Sequence, residues 1–239
     1  MKLRPLDARN GLGIFFALAL LFSACSQSVT DVDGNRYATV DIGEQTWMAG
    51  DLRTTRFRDG SEIPLVEGYE EWAKADAAAY CWYNNDEAAI PGQGALYNAY
   101  VLESGEVCPE GWHLPSDEEW SRLQQDLGSV SHVGAMLKEE GTAHWKTPNE
   151  GADNRTGFTA LPGGYRSYNG TFNLSRIAGF WWSSSEASWY GAGMDSSNSY
   201  VFRNLRYDTR EIIRSNASPT NGFSIRCVKD GGPELRTPR

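Results

Sequence analysis

His113, His132 and His144 are the only histidines of this 239-residue chain. They lack the spacing of a zinc site, and no His-x-x-x-His pair occurs. No Gly-x-Ser-x-Gly elbow presents a nucleophile, although a Ser–His–Asp set built from distant positions stays open. His113 alternates with Trp112 and Leu114, so it reads as a strand residue bonded to backbone. Glu118 and Glu119 follow Ser116 as the cap and dipole partners of a helix, not as paired carboxylates for hydrolysis. In that capping box the Ser116 hydroxyl is expected to be the larger contributor, about 1 kcal/mol. The binding reading therefore stands ahead of the enzyme reading.

Two groups of side chains suit binding. Asn84, Asn85 and Asp86, and further on Asn149, Glu150, Asp153 and Asn154, carry oxygens that suit calcium. Turn chemistry uses the same residues and is the reading taken. No cofactor is expected, and calcium at Asn84, Asn85, Asp86 and Asp153 is the one metal for which candidate ligands are named. Trp145, Trp189 and Tyr190 lie in stretches without periodicity, and Asn198 lies in a loop rich in Ser, Asn and Gly. An aromatic platform beside polar side chains suits a sugar ring. A glycan or a protein at the cell surface is the expected partner, with an adhesive module that takes no small ligand as the alternative.

The elements that position these residues centre on Cys108 to Trp120. Trp112 and Leu114 alternate in a strand, Pro115 ends it, and Ser116 caps a helix whose apolar face is Trp120, Leu123 and Leu127, with Gly128 as its stop. Earlier in the chain, Asp33-Gly34 marks a hairpin turn. Arg36 to Ile42 and Gln45 to Met48 are strands around Gly43, and Glu67 to Ala79 reads as a helix. Val133, Met136 and Leu137 suggest a second short helix. Gly157 to Arg166 reads as a strand broken by glycines, and Asn169-Gly170 as a hairpin. Gly179 to Ser185, Tyr200 to Leu205, Glu211 to Arg214 and Phe223 to Val228 complete the strands. No fixed repeat and no second domain boundary appear, and residues 231–239 read as a polar tail.

Lys2, Arg4 and Arg9 precede an apolar run from Gly11 to Phe22 that is too short for a membrane span, and Ser23-Ala24-Cys25 follows. This resembles the lipobox of a bacterial lipoprotein, with Phe22 where the pattern prefers Leu. Residues 1–24 are then a signal peptide, Cys25 takes the acyl chains, and residues 25–31 are a tether. The expected partner there is the membrane, and the expected location is the outer membrane. A net charge of -9 argues against nucleic acid. An exported chain favours one disulfide among Cys81, Cys108 and Cys227. Cys108–Cys227 and Cys81–Cys108 both remain open on the residues alone.

Thr46-Trp47-Met48, Asp51-Leu52-Arg53, Tyr80 to Asp86, Gly94 to Asn98, the Cys108-to-Trp120 block, Gly157 to Arg166, Trp181 to Ser184 and Phe223 to Asp230 resemble the Fibrobacter succinogenes major paralogous domain, in order, over residues 32–230. That family has no established activity. The Gly111-to-Trp120 block and Arg226-Cys227-Val228 are also similar to the formylglycine-generating enzymes. The catalytic pair of cysteines in those enzymes is missing here, since Ser224 offers no thiol. By resemblance, the implied fold is α+β: a single C-type lectin-like domain with two main helices and twisted, mostly antiparallel sheets. The first and last strands would lie side by side, which favours the Cys108–Cys227 bridge and leaves Cys81 a buried free thiol.

Overall fold

The computed structural model describes residues 27–103, 106–128, 131–187 and 199–231. The chain is α+β, with short helices and mostly antiparallel sheets. Strands β1 (Ser28–Thr30), β2 (Arg36–Ile42) and β3 (Gln45–Met48) form an antiparallel meander. Ser28–Thr30 falls within the predicted tether, but its backbone pairs with β2, so it is an edge strand. Asp31 organises the first turn. Its carboxylate accepts the amides of Asp33 and Asn35 and the Tyr37 hydroxyl at 2.5 Å. Gly34 takes φ +85°, which a residue with a Cβ rarely adopts.

Helix α1 is only Tyr69–Ala73, shorter than the predicted 67–79. Gly68 offers no capping side chain, and the residues that follow are claimed by other partners. The Ala79 amide donates to Asn98 Oδ1 and the Tyr80 amide to Pro64 O, so this stretch joins a sheet edge. Strands β4 (Tyr80–Cys81) and β5 (Leu96–Tyr97) pair, and helix α2 (Tyr100–Glu103) follows. Strand β6 (Trp112–His113) then runs into α3 (Asp117–Asp126), the longest helix. Its capping box is complete: the Glu119 amide donates to Ser116 Oγ at 3.1 Å, and the Ser116 amide donates to Glu119 Oε2 at 2.8 Å. Trp120 and Leu123 are buried, and Gly128 closes the helix at φ +95°.

The predicted second short helix is α4 (Val133–Leu137), which ends where Lys138 turns away to bridge Ala160. Between 157 and 166, left-handed φ values at Gly157, Thr159 and Gly164 break the predicted strand, leaving only β7 (Tyr165–Arg166). It pairs with β8 (Phe172–Asn173) across the Asn169-Gly170 hairpin. Strands β9 (Ala178–Glu186), β10 (Tyr200–Arg206) and β11 (Ile212–Ala217) form the second large sheet, antiparallel throughout.

The last predicted strand is not one strand. Gly222, Phe223 and Ser224 bridge Arg166, Tyr97 and Trp181 in turn, and only β12 (Val228–Lys229) joins the first sheet, between β3 and β6. The last strand therefore lies beside the third and sixth strands rather than beside the first. Every residue from Phe223 to Val228 is buried, so both faces of this segment are covered. Phe223 sits among Phe180, Trp182, Phe202 and Tyr165 at ring separations of 4.3–5.8 Å. A second aromatic group, Trp47, Trp120 and Phe158, packs α3 onto the first sheet. Cys108 and Cys227 form a disulfide with Cα atoms 6.0 Å apart. Cys81 is free and buried, and burial pushes its thiol pKa up to about 12, so it is inert at neutral pH.

Candidate functional site

Of the predicted ligand platform only Trp145 falls among the described residues, and it is not exposed. Trp145 is fully buried, with its indole N–H donating to Ala160 O at 3.0 Å and its ring packed in the core. It has no periodicity because its segment is irregular, not because it is exposed. Trp189, Tyr190 and Asn198 lie outside the described residues. The oxygens weighed for calcium act as turn groups. Asn84 and Asn85 take left-handed φ values, and Asn85 donates to Glu67 O. Asp86 accepts the Ala88 amide, and Asp153 pairs with Arg155. Among the described residues no three acidic, His or Cys side chains gather to hold a metal ion.

His113 faces two carboxylates. Nε2 lies 2.8 Å from Glu119 Oε1 and Nδ1 lies 2.6 Å from Asp230 Oδ1. With both ring nitrogens held by anions the imidazole has no nitrogen left for a substrate proton, so it ties β6, α3 and the end of β12 together. Glu119 thus serves both the cap and this pair. The Glu119 hydrogen bond, aided by that of Asp230 and opposed by desolvation, raises the His113 pKa to about 9.

A raised folded pKa means the pair stabilises fully below the unfolded value near pH 6.5, and that contribution is lost as pH rises through about 9. The imidazole side chain is 39% exposed, so solvent screening reduces the effect to about 1 kcal/mol. Urea unfolding at pH 6 and pH 9.5 should show this loss in the parent and not in His113→Asn. Equal pH dependence in both proteins would show that the pair contributes nothing.

Four cations are buried among the described residues, none of them legible from charge patterning, and one of them, Arg203, pairs with Asp117 at 2.7 Å. Lys138 donates to the carbonyls of Glu150, Arg206 and Thr209 at 2.9–3.1 Å, and burial pulls its pKa down to about 8. Arg226 pairs with Asp51 and stacks over Phe158 at 4.0 Å. Arg166 is bonded to backbone carbonyls from two segments. Its guanidinium reaches Gly170 O, Val66 O, Glu67 O and Gly68 O, and stacks on Trp72 and Phe172.

The Arg166 contacts position a surface. One cation clamps residues 66–68 to the turn at 167–170, and the two segments present Tyr69 and Tyr168, 57% and 61% exposed. Gly170 is pressed against the Tyr69 backbone: a Cβ there would lie 2.4 Å from Tyr69 O. Nearly every other aromatic ring in the described residues is buried or half-buried. A shallow depression of about 530 Å³ runs along Gly68, Tyr69, Glu70, Glu71 and Lys74, with Asn169 in the neighbouring turn. Sequence reasoning missed this face because Tyr69 sat inside a predicted helix and Tyr168 beside a predicted turn.

The Fibrobacter succinogenes major domain matches residues 40–229. The chain belongs to that family. No curated protein and no solved structure matches it. The matched span of the Fibrobacter succinogenes major domain runs from β2 to β12 and includes Arg166, His113 and both disulfide cysteines.

Proposed function

We propose that the chain is an exported, lipid-anchored module of C-type lectin-like architecture that binds glycan at the cell envelope through the Tyr69–Tyr168 face. The observation that carries this reading is the Arg166 clamp. A fully buried cation holds two separate segments rigid where each exposes a tyrosine. Rigid exposed rings stack on sugar faces at little entropic cost, and the carboxylates of Glu70 and Glu71 and the amide of Asn169 supply acceptors for hydroxyls. Protein partners at the same face are the second reading.

A glycan array probed with the soluble fragment 26–239 tests the proposal. Tyr69→Ala and Tyr168→Ala are each expected to weaken binding about tenfold, the size of one lost stacking contact. Absence of any glycan ligand, or a ligand indifferent to both substitutions, would leave the adhesive reading in its place.

The anchor has its own test. Cys25→Ser is expected to leave the protein unlabelled by radioactive fatty acid in the producing bacterium, because only the thiol accepts the diacylglyceryl group. Label retained by the Ser variant would remove Cys25 as the attachment site, and with it the lipid anchor of the proposal.

A further inference from the structure

We infer that the cleft formed by His144, Ser175 and Arg176 binds a small carboxylate, of the kind found at a peptide C-terminus or in a short free acid. This inference does not rest on the glycan reading. The cleft measures about 300 Å³, with Ile90, Pro91 and Pro162 as its apolar wall. That volume is at the small end for ligand sites and suits a ligand of a few heavy atoms.

The polar groups of the cleft are held in place for a ligand. His144 Nδ1 lies 2.9 Å from both oxygens of Glu139. A carboxylate only accepts, so Nδ1 carries a proton toward Glu139, and a ligand carboxylate is met by the imidazolium form, whose Nε2–H is the donor left over. Nε2 has no partner among the described residues, whereas both nitrogens of His113 are occupied. The loop carrying His144 is itself pinned, since the buried Asn149 amide donates to Glu139 O and Gly141 O.

Arg176 is fixed through its backbone. Its amide donates to Pro162 O at 2.9 Å, and its carbonyl accepts the Lys146 amide at 2.7 Å. Its φ is +64° and that of Leu174 is +60°, strained values for side chains of this size, held on both sides of Ser175. The guanidinium reaches the Ala143 and Thr142 carbonyls only at 3.2 and 3.5 Å, and no carboxylate pairs with it among the described residues. Glu139 is committed to His144. Arg176 is thus an accessible cation with donors to spare, at the rim of an apolar cleft, beside an oriented imidazole. A guanidinium fork matches the two oxygens of a carboxylate, and the wall at Ile90, Pro91 and Pro162 takes the attached apolar group.

Calorimetric titration of the full-length protein with N-acetyl-L-alanine, N-acetyl-L-alaninamide and propionate tests this. The expected result is saturable binding of the acid, none of the amide, and a loss of about tenfold or more in both Arg176→Gln and His144→Phe. A marked preference for N-acetyl-L-alanine over propionate assigns the site to peptide C-termini, and equal binding assigns it to free short acids; both support carboxylate recognition. Because Arg176 also braces a loop, the imidazole nitrogen resonances of the unaltered protein give a second readout. Nε2 of His144 should shift on addition of N-acetyl-L-alanine, while those of His113 stay fixed. No saturable binding of either acid at millimolar concentration, equal binding of the amide, or an unmoved His144 resonance would overturn the inference.

Discussion

Replacing Cys108 and Cys227 by alanine is expected to lower the unfolding free energy by roughly 4–5 kcal/mol, the figure that chain entropy gives for a loop of this length. The two cysteines are 119 residues apart, and the bridge joins the segment before β6 to the segment before β12. Without it the unfolded chain gains freedom over half its length, while the folded chain keeps the β6–β12 pairing. Native strain subtracts from the entropic figure, so it is an upper one. Urea unfolding of oxidised and reduced protein measures the effect directly. Peptide mapping should find Cys108 linked to Cys227 and Cys81 free, its thiol reacting only after unfolding. Identical midpoints with and without reductant would show that the bridge adds no stability, and a linked Cys81 peptide would refute the pairing.

Asp51→Leu is expected to cost about 3–5 kcal/mol, the range for breaking one side of a buried ion pair. Asp51 Oδ1 accepts from Trp181 Nε1 at 2.8 Å and from Arg226 Nε at 2.9 Å, and Asp51 and Arg226 are almost wholly enclosed. Removing the carboxylate leaves a buried guanidinium with no anion. Arg226 also donates to Phe158 O, so it cannot swing out to water without disturbing that loop. Asp51→Leu combined with Arg226→Met is expected to recover much of the loss, since an apolar pair of similar volume needs no counter-charge. A double-mutant cycle measured by denaturant unfolding isolates the coupling. If the double variant were as unstable as the sum of the single ones, the pair would not be acting as a unit.

Much of the scaffold was legible because it is written in local patterns. The β2–β3 hairpin follows alternation around Gly43, α3 follows its capping box, and the β10–β11 pair follows two apolar runs. The helix at 67–79 failed because Asn98 and Pro64 claim the amides of Ala79 and Tyr80, and neither partner is near in sequence. Trp145 was misplaced for the same reason: an irregular segment can still be core. The burial of Arg166, Lys138 and Arg226 was not legible because burial of a cation depends on carbonyls, rings or an anion supplied from afar. The Tyr69–Tyr168 face and the His144 cleft share that origin, since each joins loops that only the tertiary structure brings together.

The segment from Gly222 to Lys229 touches β7, β5, β9, β3 and β6 in succession, yet it follows all of them in the chain. Synthesis therefore delivers the piece that joins the sheets last. Until it emerges, the first sheet lacks the strand between β3 and β6, Asp51 has no Arg226, and Cys108 has no partner. A chain stopped at residue 220 holds nearly all the elements and none of their common connection. A chain cut short there is expected to lack the disulfide, the buried ion pair and the closed first sheet together, since all three wait on the same eight residues.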